Sequence, residues 1–459
     1  TWQCKYKMIY KSLFLASLII SSSFSLELDD IVKKDVNELA LQNVIKIAVL
    51  NDSWLKGNEY SQEAIEESSI AAGTYADPKV TIGAANIPTD TFDLNQEAMT
   101  QLQVGISQMF PRGDSLEIRQ EQLKLQASQY PYQREDRKGK LTVQIAQLWL
   151  EAYKAQESIA LIEKNRSLFE QLADIAESSY SSTFGKTRQQ DIIRAQLELT
   201  KLEDRLTLLK QKKDTALLSL SEWLSDFTED KINSGNILES SNLLLPRSFP
   251  NIEMINPNYF NLKEDSEKIL TMFENHPSIK NIEQKIKATS KSIKLARENY
   301  KPQFSVNTSY AKREDDLMGR NRADLFSVGL TFDLPIFVKN KQDKELQVAM
   351  LKTKSVETEK ILQYKKLFSL YETTKADLIR LKERQSLYLT KLLPQMNEQS
   401  EASLTAYTND DGDFPEVVRS RISQLNAQID ILNINVDIQK NIVKYNYLFT
   451  DNAENIVNR

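Results

Sequence analysis

The chain has 459 residues, 27% of them charged, and 59 Lys and Arg against 64 Asp and Glu give a net charge of -5. That length can bury a large core in two or three domains, and 11 Gly and 12 Pro do not describe a disordered polymer. Mixed charge of this kind leaves no basic footprint, which argues against nucleic acid as a partner.

At the start of the chain, Lys5, Lys7 and Lys11 lead into the apolar run Leu13 to Ile20, and small residues follow at Ser21, Ser22, Ser23 and Ser25. The pattern predicts an export signal over residues 1–25, with Met8 as the natural start and cleavage after Ser25. The run is shorter than the roughly twenty residues a spanning helix needs, which counts against an uncleaved anchor. Cys4, the one cysteine, lies before that run, so the exported chain would carry no thiol for a disulfide or a thiolate metal site. No other segment reads as a membrane helix. An exported chain of this composition enters a membrane only as a closed β-barrel.

Helical periodicity occupies residues 30–75, with Leu39, Val44, Ile47, Ala48 and Leu50 on one side, and Gly73 and Pro78 end it. Apolar residues then alternate at Val80 and Ile82 and again at Leu102, Val104 and Ile106, with Gln101, Gln103, Gly105 and Ser107 between them. Period two predicts a hairpin over 77–111 with one apolar and one polar face. At roughly ten residues each, the arms reach across a bilayer when tilted. Arg112-Gly113-Asp114-Ser115 offers a turn and an N-cap, and a helix should run from Ser115 to Tyr180, interrupted or kinked at Pro131. About 65 residues at about 1.5 Å each make a rod approaching 100 Å. The chain reverses at 180–187, and Ile192, Ala195, Leu199, Leu202, Leu206 and Leu209 give the return helix a coiled-coil seam.

Residues 227–272 lose the pattern and read as a linker between a first repeat, 26–226, and a second, 273–449, followed by a tail, 450–459. His276-Pro277 opens the second repeat. Its helix runs to Tyr300 and its hairpin spans 302–335, with alternation at Phe304 and Val306 and at Phe326, Val328 and Leu330. A helix follows from Lys341 to Ala406, and the second reversal is Tyr407 to Pro415. Pro78, Val104-Gly105 and Pro111 recur as Pro302, Val328-Gly329 and Pro335 at one offset of 224 residues. A constant offset across separated motifs indicates duplication. Tyr75, Phe92, Phe110, Tyr300, Tyr310 and Phe337 flank the strands as candidate interfacial aromatics. The last helix has the cleanest seam, with Ile422, Ile429, Val436 and Val443 in one heptad series and Val418, Leu425 and Leu432 in the other.

The strands alone fit either a small soluble sheet or membrane hairpins. Four strands cannot close a barrel, since the smallest single-chain barrels need about eight, so membrane hairpins require several copies to share one barrel. The segments Ala76 to Pro88 and Leu102 to Gly113, with the turn of Gly185 leading to Asp191-Ile192-Ile193-Arg194-Ala195-Gln196, resemble the TolC-type outer-membrane efflux protein family, over nearly all of the chain beyond the signal. The resemblance implies a mostly α, α+β fold: a duplicated unit of helix, β-hairpin and long helical hairpin, trimerised into a shared twelve-stranded barrel continuous with a periplasmic α-helical barrel. It implies a passive outer-membrane duct served by a periplasmic adaptor and an inner-membrane pump, exporting drugs or metal cations. The first half looks most like the outer-membrane components of resistance-nodulation-division pumps.

In that family the helical tips dock the adaptor and gate the duct. The resemblance therefore marks Gly185, Lys186, Thr187 and Arg188, with Asp410, Asp411, Gly412 and Asp413, as docking candidates. Glu416, Asp413 and Asp191 become aperture candidates. Arg419 stands where a second acid is common, leaving open an acidic ring or a Glu416–Arg419 pair across a closed aperture. No cofactor is expected, and one histidine, His276, argues against a chelating site. No HExxH or phosphate loop is present, so no enzyme is expected. A periplasmic or surface coiled-coil structural or adaptor protein without a pore, and a duct for protein secretion, are the competing readings.

Overall fold

The computed structural model describes residues 40–181, 188–225, 245–255, 257, 266–409, 411–450 and 456–457. The expected signal, Gly185, Lys186, Thr187, Asp410 and most of the expected linker lie outside the described residues. In chain order the elements are α1 (Leu41–Asn51), α2 (Ser53–Ala72), β1 (Lys79–Ala85), β2 (Gln101–Met109), α3 (Ser115–Ala127), α4 (Tyr130–Ser181), α5 (Gln189–Leu224), α6 (Ser266–Phe273), α7 (Pro277–Glu298), β3 (Phe304–Lys312), β4 (Leu325–Phe332), α8 (Gln342–Leu387), α9 (Leu393–Thr408) and α10 (Phe414–Phe449). The 224-residue offset survives in the elements: α2 and α7 begin at Ser53 and Pro277, and β2 and β4 at Gln101 and Leu325.

Five expectations are refined. Within the described part of the helix expected over 30–75 there are two helices, broken where Arg137 takes the Asp52 carboxylate at 2.8 and 3.4 Å. Pro131 ends one helix and starts another: with no N–H to give, it sits in the first turn of α4, and the continuous rod is 52 residues, about 78 Å. Asp114 holds the N-cap position of α3 but its side chain makes no capping hydrogen bond. The helix expected over 341–406 is divided by a π-helical turn at Tyr388–Leu392, directly before Pro394 in the first turn of α9. A further helix, α6, occupies the end of the expected linker and runs one residue beyond it.

The chain divides into two compact units, each drawing on both repeats. One holds 53–136 and 266–368. Its sheet is a four-stranded antiparallel meander, β1-β2-β3-β4, so the two hairpins pair through β2 and β3. Its helices pack through polar seams, with Gln122 donating to Ser292 at 2.7 Å, Lys360 to Glu283 at 2.8 Å and Arg134 to Asn58 at 2.9 Å. His276 caps α7, its Nδ1 accepting from the Ser278 N–H at 3.2 Å.

The other unit comprises the chain to Asp52, 137–265 and 369–459. The predicted seams pack here: Ala195, Leu202 and Leu206 of α5 join Val418, Leu425 and Ile429 of α10 around Ile162, Phe169 and Leu172 of α4. Trp149, Tyr371 and Tyr445 are fully buried, and Phe449 meets Tyr371 edge-on at 5.8 Å. The segment 245–255 lies on these helices, held by backbone bonds to Gln439, Asn446, Tyr153 and Gln156.

Candidate functional site

Register sorts the sheet into rows. Val80, Ile106, Thr308 and Val328 are consecutive cross-strand partners, as are Ile82, Val104, Tyr310 and Phe326. Because side chains alternate, these rows share a face with Leu102, Phe304, Val306 and Leu330. All ten predicted strand residues thus lie on one face, and all are solvent-exposed, Ile82 by 80% and Phe326 by 71%. Leaving such a side chain in water forgoes about 1.5–3 kcal/mol each, so this face requires an apolar surrounding.

The opposite face carries the rows Lys79–Ser107–Asn307–Gly329 and Thr81–Gly105–Ser309–Ser327. On β2 and β3 these side chains are less exposed than their apolar neighbours, although they are the polar ones. Apolar outside and polar inside inverts the pattern of a soluble sheet. Of the flanking aromatics, Tyr75, Phe92, Phe110, Tyr310 and Phe337 are exposed, and Tyr75 packs edge-on to Phe110. Tyr300 is half-buried, with its hydroxyl on Asp343.

A polar collar, which sequence reasoning missed, closes the foot of the sheet. Arg112 pairs with Asp333 and donates to the Asn299 and Lys301 carbonyls, while Asp333 accepts from the Gln303 N–H at 2.6 Å. Gly113 has φ +46°, a left-handed backbone that strains any other residue, and a Cβ there would also displace the flexible ends of the Glu298 and Lys301 side chains. Glu298 accepts from the Asp114 N–H at 3.0 Å and pairs with Lys301 at 2.6 Å. The conjunction of Arg-Gly-Asp after one hairpin and Glu298 before the other was the available signal.

In the other unit, the second tip is anchored by Phe414, which is buried and meets Tyr407 edge-on at 5.7 Å. Gly412 approaches the end of α9 so closely that a Cβ would lie 2.7 Å from the Tyr407 nitrogen. Asp411 donates its N–H to Ala406 at 2.9 Å, and Asp413 takes the N-cap position of α10. Glu416 and Arg419 pair at 2.9 Å, one turn apart on the same helix. Gln399 also reaches Glu416, at 3.5 Å. In the first turn of α5, Asp191 is buried and accepts from the Arg188 N–H at 2.9 Å, capping its own helix. Arg421, unforeseen, is buried beside the seam and pairs with Glu401 of α9 at 3.0 Å. Among the described residues no cluster of acids, His or Cys is arranged to hold a metal ion, and no helix is long and apolar enough to cross a membrane.

No protein-family model matches the chain, and no curated protein is similar to it in sequence. Solved structures are similar in fold. The outer-membrane channel OprN superposes with a TM-score of 0.72 at 14% identity over 90% of each chain. The CmeC outer-membrane channel of Campylobacter jejuni gives 0.70 at 14% identity over 91% of this chain and 87% of its own. The open state of the MtrE outer-membrane channel of Neisseria gonorrhoeae gives 0.69 at 15% identity over 90% and 89%. The fold is that of outer-membrane channel proteins. As the sequence led us to expect, the described residues form a largely helical chain with one small antiparallel sheet, a fold similar to that of these channels.

Proposed function

We propose that this chain is a passive channel-tunnel of the outer membrane, a homotrimer through which an inner-membrane pump and a periplasmic adaptor export small molecules. The observation that carries the reading is the inverted sheet: an exposed apolar face, a polar face behind it, and β1 and β4 as unpaired outer edges among the described strands. Lipid satisfies the apolar face. Neighbouring copies satisfy the edges, since four strands fall short of the roughly eight a barrel requires. Location, export and partners come by analogy with the channels sharing the fold.

In this reading Arg188, Asp411, Gly412 and Asp413, with Gly185, Lys186, Thr187 and Asp410, present the adaptor-docking tips. Glu416 and Arg419 stand at the aperture, with Asp413 and Asp191 beside the same reversals. The intrahelical pairing of Glu416 with Arg419 supports a mouth whose acid is partly neutralised within each copy.

Membranes washed with urea and then solubilised in detergent test the proposal, with protein mass read by light scattering corrected for bound detergent. A species of three copies is expected. A monomer stable without detergent would sink the channel in favour of a periplasmic coiled-coil protein.

A further inference from the structure

The polar face of the sheet is unusual in what it omits. Its middle rows present hydroxyls, amides and bare backbone, as at Ser107, Asn307, Ser309 and Ser327, with Met109, Ala85, Ala311 and Leu325 toward the strand ends. Among the described strand residues Lys79, at the first position of β1, is the one ionisable side chain on that face. The chain is not short of charge, since 27% of its residues carry one. Glycines recess the wall further: nothing lies within 4 Å of where a Cβ would stand at Gly83 or Gly329.

Pores select ions by rings of fixed charge or by narrow, strongly dipolar filters. This face supplies no carboxylate ring and, beyond Lys79 at its foot, no cationic one. We infer that the membrane-spanning wall does not sort its cargo by charge, so that cationic, anionic and neutral solutes meet the same hydroxyl- and amide-lined surface. Any charge preference of the whole protein then originates outside the strands. The inference rests on the channel reading and adds to it the class of cargo the membrane span accepts: water-soluble or amphiphilic molecules of either sign.

Single cysteines test it in a Cys4→Ser background, in the full-length protein reconstituted into liposomes. Ser309→Cys and Ser327→Cys probe the uncharged wall, Ser107→Cys the position paired with Lys79, and Ile106→Cys and Val328→Cys the apolar face. Each is treated with a cationic and an anionic methanethiosulfonate, and every rate is divided by that of a small free thiol. A unit charge about 7 Å away in water changes local ion concentration about threefold, which sets the resolution. At Ser309→Cys and Ser327→Cys the normalised rates for the two reagents should agree within about threefold. At Ser107→Cys the anionic reagent should be favoured, and Lys79→Gln should abolish that preference, showing that the assay senses a single charge.

A larger ratio at either uncharged-wall position overturns the inference while leaving the channel intact. Absence of any preference at Ser107→Cys would remove Lys79 from the wall and overturn its place as the face's one charge. If Ile106→Cys and Val328→Cys react as fast as the polar-face cysteines, or the polar-face cysteines do not react at all, the channel reading itself fails. The comparison of faces therefore separates the two failures.

Discussion

Arg112, leaving the first hairpin, pairs with Asp333 at the foot of the second, 221 positions away. The same guanidinium donates to the Lys301 carbonyl at 3.1 Å, just beyond the end of α7, and Asp333 closes the base of its own hairpin through Gln303. Two duplicated hairpins are thereby joined by a contact that is not itself duplicated: the position equivalent to Arg112 is Ile336.

Removing Arg112 should therefore cost more than the ion pair alone. The pair is partly exposed and worth about 1 kcal/mol or less, but Arg112→Ala also strips donors from two carbonyls, for a total of about 1–3 kcal/mol. Asp333→Asn, which keeps an acceptor for Gln303, should cost less. Thermal denaturation in detergent, followed by circular dichroism, ranks the two; equal effects would mean that the carbonyl contacts contribute nothing.

Gly412→Ala should destabilise the second tip by about 1–3 kcal/mol, because its methyl meets backbone that has no rotamer to change. Gly113→Ala acts through its positive φ instead, because the atoms its methyl meets belong to the flexible Glu298 and Lys301 side chains, which can move aside. Hydrogen exchange resolved by peptide checks the first: faster exchange should be confined to residues near 400–420, and an unchanged pattern would refute the close approach.

Arg419→Gln frees Glu416 from its intrahelical partner. Stability should move by about 0.5 kcal/mol or less, as for other exposed helical pairs. If Glu416 lines the aperture, the cation-to-anion permeability ratio in planar bilayers should rise in Arg419→Gln and fall in Glu416→Gln. Identical ratios in both variants and the parent would remove these residues from the ion path.

Glu151 illustrates how pH enters. Burial raises its pKa, but hydrogen bonds from Lys154 and Lys440 and their charges outweigh that, holding the carboxyl below its usual 4.5. A depressed folded-state pKa means that the contribution is present above pH 4.5 and lost as pH falls through the folded value. Glu151→Gln should lower the melting temperature at pH 7 and flatten its decline toward pH 3. A decline as steep as the parent's would assign the acid sensitivity to other carboxylates.

What the sequence revealed was local and periodic. Val80, Ile82, Val104 and Ile106 announced a two-faced strand, and Val418, Leu425 and Ile429 a helical seam, because burying one face of a regular element imposes its period on neighbouring residues. Pro394 was visible too, yet apolar periodicity ran through it and concealed the π turn before it. Arg421 gave a weaker signal, a charge beside the seam whose partner Glu401 lies on another helix. For Arg112 the signal was weaker still, an Arg-Gly-Asp run after the first hairpin that does not name the carboxylate 221 positions away.

By itself, then, the sequence determined the strand and helix types and the second reversal, all of which depend on residues within a few turns or pleats of each other. The tertiary structure alone decided which face of the sheet stays exposed, that Arg421 reaches Glu401 on another helix, and how Arg112 ties the hairpins. Those outcomes depend on which side of an element finds cover and on which distant groups converge. Such contacts are each worth about 1 kcal/mol and leave no periodic trace in the chain.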